Sequence, residues 1–276
     1  MQPRHSFLPV ALMWILISSC SSGPAPPAKG TPAFYWQAAS ETFPQMDYLK
    51  TSDHLGQIIR TDNEFTVRAR VWQLVLTAGL TDGYHELVKQ FEYGARARKQ
   101  DPTEFRRLRG TSLSPAIVRA QQFAETFERF EKSKPGVEIE LAFGFPAGSA
   151  AEPPQFAKAG QGMIMTPTEI DEMQKNSLLR GVVLAAARAV GATNDVAKAR
   201  DLIKPGAKIP RDVFLIGMAG FLYEFADLFG PLKQDVPDKQ KFFLTHAQEA
   251  LAGIPDSKEL KDLKKKIDEA MKKVRQ

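Results

Sequence analysis

The chain has 276 residues, of which 43% are hydrophobic and 25% charged, with a formal net charge of +5. These proportions sit near the globular average, which argues against a disordered polymer and against an integral membrane protein. A single cysteine excludes a disulfide framework, a Cys-based zinc site and a CxxC redox centre, and four histidines leave little for a His-rich metal centre.

The first element is an apolar stretch from Phe7 to Ile17, preceded by Arg4 and followed by Ser18, Ser19 and Cys20. A short basic start, about 7–15 apolar residues and a small-residue processing site describe a secretory signal peptide, too short to span a bilayer. Residues 21–32 then hold Pro24, Pro26, Pro27, Pro32, Gly23 and Gly30, a composition that behaves as a tether rather than a folded element. The run Ile17-Ser18-Ser19-Cys20 resembles the lipobox of bacterial lipoproteins. That resemblance implies cleavage after residue 19, a lipid on Cys20 and usually acylation of the new amino terminus. Ser21, in place of Asp, implies sorting to the outer membrane rather than the inner one in a two-membrane cell. Removing residues 1–19 takes away Arg4 alone, so the charge falls from +5 to +4. That balance is too weak to indicate nucleic acid.

From residue 33 onward the pattern predicts an all-α multi-helix array. Thr61-Asp62-Asn63-Glu64 reads as a capping box ahead of Phe65, Val71, Trp72, Val75 and Ala78, with Gly79 as the stop. Thr81 or Asp82 would open the next helix, whose Tyr84, Leu87, Val88, Phe91 and Ala95 form one amphipathic stripe. Asp101-Pro102-Thr103-Glu104 and Ser114-Pro115 mark two further starts. The second of these precedes Ile117, Ala120, Phe123, Ala124, Phe127 and Phe130. Thr166-Pro167-Thr168-Glu169 opens a long helix ending near Val190-Gly191, with further starts at Asn194, Pro210, Pro237, and Asp256 or Ser257. Phe214–Phe229 is apolar nearly all round, as a central buried helix would be, with Gly217 and Gly220 allowing a close neighbour. Leu178–Arg188 reads as a second buried helix. Roughly nine or ten helices result.

One stretch departs from the helical period. Val137–Phe143 starts with alternating apolar and charged residues, and 145–162 is rich in proline and glycine. A small β-hairpin or a long ordered loop is expected here. This insertion, 136–165, divides the body 33–276 into sub-parts 33–135 and 166–276. Phe143, Phe145, Phe156, Met163 and Met165 are the candidate ligand or partner contacts, as a flap over a cleft or as residues tucked onto the helices. Near the end, Ala250-Leu251-Ala252-Gly253-Ile254-Pro255 resembles the helix end of a tetratricopeptide repeat, which implies helical-hairpin packing with the last helix as a polar cap. No sustained period accompanies it.

Catalytic signatures are sparse. No Gly-x-Ser-x-Gly elbow, His-Glu-x-x-His pair or phosphate-binding glycine loop occurs, and no cofactor or metal is implied. Glu138, Glu140, Glu169 and Glu224 are conceivable acids for glycoside cleavage, which needs only two carboxyls close in space. His85, beside the Tyr84/Val88 stripe, reads as a helix-surface or boundary residue. Arg96, Arg98, Lys99, Arg106, Arg107 and Arg109 crowd one helix end and the next helix. The last helix carries eight Lys/Arg against four acids. Either set reads as a solvated face or as a contact for anionic lipid head groups.

The expectation is therefore an exported lipoprotein, held at the membrane by Cys20, that binds an envelope protein partner rather than catalysing a reaction. A carrier of lipid or a small apolar solute is the alternative, and a cell-wall hydrolase the third.

Overall fold

The computed structural model describes residues 26–193 and 195–274. The signal segment and Cys20 lie outside them. Ten α-helices and two short strands make up the described chain, in the order α1 (Pro32–Thr42), α2 (Tyr48–Ile58), α3 (Thr66–Ala97), α4 (Thr103–Lys132), β1 (Glu138–Glu140), α5 (Gln155–Gly160), α6 (Pro167–Ala189), α7 (Val196–Leu202), β2 (Lys208–Pro210), α8 (Arg211–Ala226), α9 (Pro237–Ala250) and α10 (Lys258–Lys273). A 3₁₀ turn, Asp227–Phe229, follows α8. The all-α array read from the periodicity is the fold. No helix among the described residues is long and apolar enough to cross a membrane.

The hub is α3, packed along α4 on one side and α6 on another. Its 32 residues rise about 48 Å at 1.5 Å per residue. Every residue from Val71 to Thr81 is buried. The helix therefore runs straight through Gly79, where the sequence reads a stop, and through Thr81 and Asp82, where it reads a new start. Gly79 serves contact instead. A Cβ there would stand 2.4 Å from the Cα of Val182 in α6, and one on Gly181 would stand 2.1 Å from the Gly79 carbonyl oxygen. Packing gain from this crossing outweighs the ~1 kcal/mol that a helical glycine costs.

Two other boundaries move for related reasons. The capping box at Thr61/Glu64 does not form. The helix starts later, and Asn63 organises the turn: its Oδ1 accepts from the Phe65 amide at 3.0 Å and its amide donates to Thr66 Oγ1 at 2.9 Å. Pro115 lies inside α4 rather than at a helix start. The ring removes one backbone donor there, but Leu108, Leu113, Ala116 and Ala120 are buried on both sides of it, so burial along the helix carries it past the break. Two caps stand where the sequence puts them. Thr166 and Glu169 form a reciprocal capping box, and Ser257 Oγ accepts from the Leu260 amide. At the start of α7, Asp195 caps Lys198 at 2.8 Å; Asn194, the expected cap, lies outside the described residues.

The alternating stretch at 138–140 is a strand, and its antiparallel partner is β2, in register Glu138↔Pro210, Ile139↔Ile209, Glu140↔Lys208. Its buried residue is Ile139, with both glutamates outward. From Leu141 to Met165 the chain is an ordered loop containing α5. It is fastened by Tyr48, whose hydroxyl donates to the Ala147 carbonyl at 2.8 Å, and by Arg180, whose Nε donates to the Ala150 carbonyl at 3.0 Å. At the carboxyl end α10 lays Leu260 and Ile267 onto the body and turns its lysines outward.

Candidate functional site

The five residues singled out by composition do not converge. Phe143 is buried in an aromatic cluster, 4.7 Å from Phe43, 5.4 Å from Trp72 and 5.5 Å from Trp36 between ring centroids. Phe145 is half-buried under the Arg200 guanidinium. Phe156 and Met165 are in the core, and Met163 is 48% exposed.

A different set of side chains does converge, in a solvent-open cleft of about 350 Å³ between α3, the end of α8, α9 and α10. Within α3, Asp82, His85 and Lys89 share a face at i, i+3 and i+7. Glu224 in the last turn of α8 and Asp227 just after it add two carboxylates, and α9 supplies Gln240 and Leu244.

His85 and Lys233 are the buried part of this site. The His85 residue is 3% exposed, and Lys233 reaches in from the turn after Phe229. Its ammonium lies 2.6 Å from His85 Nε2 and 2.6 Å from Asp227 Oδ2, while His85 Nε2 is 3.5 Å from the same oxygen. Burial pushes the imidazole below its ordinary range, so the ring is neutral at pH 7. The His85 ring and the Lys233 ammonium together hold the Asp227 carboxyl well below the usual range. The reading of His85 as a helix-surface or boundary residue is thereby corrected: it sits inside a charged cluster closed by a residue 148 positions away.

Asp82 is the other distinctive group. It is part-buried and has no hydrogen-bond partner among the described residues. Burial first, and then the charges of Glu224 and Glu86, push its carboxyl up to about 7. Both neighbouring glutamates are themselves paired. Glu86 meets Arg180 at 2.5 Å, and Glu224 receives Arg188 Nη1 at 3.0 and 2.9 Å. Arg188 also lies over the Phe221 ring at 4.4 Å. Its guanidinium fits because position 220 is glycine; a Cβ there would be 2.0 Å from Nη2. A Cβ on Gly217, one turn earlier, would stand 2.6 Å from the Arg188 carbonyl oxygen, so both α8 glycines permit the close approach expected of them.

The other acids named for glycoside cleavage are on the surface. Glu138 and Glu140 face Lys208 and Arg68 from β1. Glu169 is engaged by Lys158 and by its own capping box, which hold its carboxyl down to about 2. Of the four, Glu224 borders the cleft, which also holds the carboxyls of Asp82 and Asp227. No group of three metal-ligating side chains occurs among the described residues.

No family model matches this chain, and neither a curated protein nor a solved structure matches it.

Proposed function

We propose that the protein is an exported lipoprotein, anchored through Cys20, facing the periplasm from the outer membrane, whose helical body binds a partner in the cell envelope. The observation that carries the binding role is the cleft around Asp82, an unpartnered carboxyl held between two glutamate–arginine pairs. Such a group is the natural counterpart of a lysine or arginine side chain presented by a protein partner, because an incoming cation would relieve the repulsion from Glu86 and Glu224. A carrier of apolar solute has less support, since Phe143, Phe156 and Met165, its natural gate, are core residues.

The test has two arms. Replacing Cys20 by Ala is expected to release the protein from membranes; retention would remove the anchor. A photo-crosslinking residue in place of Gln240, at the cleft wall, is expected to give a discrete adduct in intact envelopes that vanishes in the Asp82→Asn variant. An adduct indifferent to Asp82, or none, would overturn the binding assignment.

The third reading keeps one specific support. Asp82, whose carboxyl is raised by burial, and Glu224, paired with Arg188, are two carboxyls of different environment in one cleft, the kind of arrangement an acid and a base need. Release of soluble sugar fragments from purified cell wall, abolished by Asp82→Asn, would favour this hydrolase over the binding module.

A further inference from the structure

The end of the molecule where α3 stops and α4 begins carries charge that the fold does not use. Between residues 92 and 109 there are six cations and three acids. Arg109 is paired with Glu92 at 2.8 Å and Arg107 with Glu104 at 2.6 Å. Arg96, Lys99 and Arg106 are exposed and make no ion pair among the described residues. These three, with Arg109 and Pro102, surround a shallow open depression of about 750 Å³.

Apolar side chains stand out at the same end. Gly162 abuts Ala97 and Arg98, its missing Cβ position lying 3.1–3.2 Å from their atoms. The next two residues, Met163 and Ile164, are 48% and 55% exposed. Leu232, whose carbonyl accepts from Arg109 Nη2 at 3.5 Å, is 91% exposed. Folding gains nothing from leaving three large apolar side chains in water, and isolated ones are unremarkable. Beside a ring of uncompensated cations they form the combination that an interfacial surface requires: cations for phosphate head groups and short apolar side chains for the acyl boundary.

We infer that this end of the molecule is a docking surface for an anionic phospholipid bilayer, with Arg96, Lys99 and Arg106 meeting lipid phosphates and Met163, Ile164 and Leu232 entering the head-group layer. A free phosphate would use the cations alone; the protruding apolar residues select a lipid surface. The surface lies at the far end of α3 from α1, whose Trp36 stacks on Phe65 at the start of α3. It is therefore separate from any attachment at the amino terminus, and the inference does not rest on Cys20 or on the Asp82 cleft.

The test uses the full chain carrying Cys20→Ala, mixed with phosphatidylcholine vesicles and with vesicles of equal parts phosphatidylcholine and phosphatidylglycerol. The same chain meets both, so any affinity of its apolar first residues for lipid cancels in the comparison. Binding is expected only with phosphatidylglycerol and is expected to weaken in high salt. At about fivefold per cation, the R96Q/K99Q/R106Q variant should lower partitioning about a hundredfold. M163S/I164S should lower it too, while leaving the salt dependence in place. All five positions are exposed, so thermal melting of both variants should match the parent. Equal binding to the two vesicle types, or binding indifferent to the triple substitution, would overturn the inference. Displacement from the vesicles by inorganic phosphate at low ionic strength, beyond what chloride achieves, would assign the depression to a free anion and overturn it as well.

Discussion

The carbonyl oxygen of Gly79 occupies the space where Gly181 would carry its Cβ, 2.1 Å away. Helices α3 and α6 thus touch backbone to backbone at this crossing. A methyl group has no flexible neighbour to displace there, so Gly181→Ala must separate the helices. Overpacking ordinarily costs about 1–3 kcal/mol, offset by ~1 kcal/mol of helix propensity. With backbone on the other side, a net loss of about 2 kcal/mol or more is expected. Gly110, in α4 with nothing within 4 Å of its absent Cβ, should gain about 0.5–1 kcal/mol when changed to Ala. Urea denaturation of the two variants checks the contrast, and equal effects would contradict the crossing.

The loop between β1 and α6 behaves as core in one part and as surface in another. Phe143→Ala empties a space bounded by Trp36, Phe43 and Trp72, and should destabilise by about 3–5 kcal/mol. Met163→Ala should change stability by less than about 0.5 kcal/mol. A loop acting as a mobile flap would instead give small effects at both positions.

Asp82 links stability to pH. Its carboxyl titrates near 7 in the folded protein and near 3.8 in its ordinary state, so between those values the folded chain binds more protons than the unfolded one. Stability from this group is full below about pH 4 and is lost as pH rises through 7. Asp82→Asn removes that loss. The variant should be more stable than the parent by on the order of 2 kcal/mol at pH 8, once solvent access to the cleft is allowed for, and nearly equal to it at pH 4. Denaturant midpoints at the two pH values decide this; a pH-independent difference would contradict the raised pKa.

His85 shifts in the opposite direction. Burial lowers its pKa, so as pH falls below about 6.5 the unfolded chain takes up a proton that the folded chain refuses, and stability falls. Lys233 contributes to that lowering. In Lys233→Ala the imidazole, still beside Asp227, should titrate at higher pH than in the parent. Nuclear magnetic resonance titration of the four histidine ring protons, with His85→Gln to assign the signal, measures both. An unchanged His85 midpoint would mean that Lys233 does not govern its charge.

Much of the helical content follows from local pattern. The stripe Tyr84, Leu87, Val88, Phe91 and the stripe Ala120, Phe123, Phe127, Phe130 are buried as their spacing requires, and the caps at Thr166 and Ser257 form as written. The helices run through Gly79, Thr81 and Ser114 because the signals there are real local preferences that long-range packing overrides. Gly79 lowers helix propensity, but it is also the residue that lets α6 touch α3. The candidate cleft had a partial signature: Glu224 and Asp227 interrupt an otherwise apolar run, and Asp82, His85, Glu86 and Lys89 form a polar stripe on a helix buried elsewhere. Nothing in either segment indicated that the two would meet.

Sequence alone therefore determined the all-α class, the caps at Thr166 and Ser257, many of the apolar faces and the break in helical period that begins at Val137, because each depends on residues within a few positions of one another. Tertiary structure decided which helix is the hub, that Phe143 is core, and that Asp82, His85, Glu224 and Asp227 share one cleft. Those residues span about 150 positions, and their charges interact only after helix packing has removed the water and the distance between them.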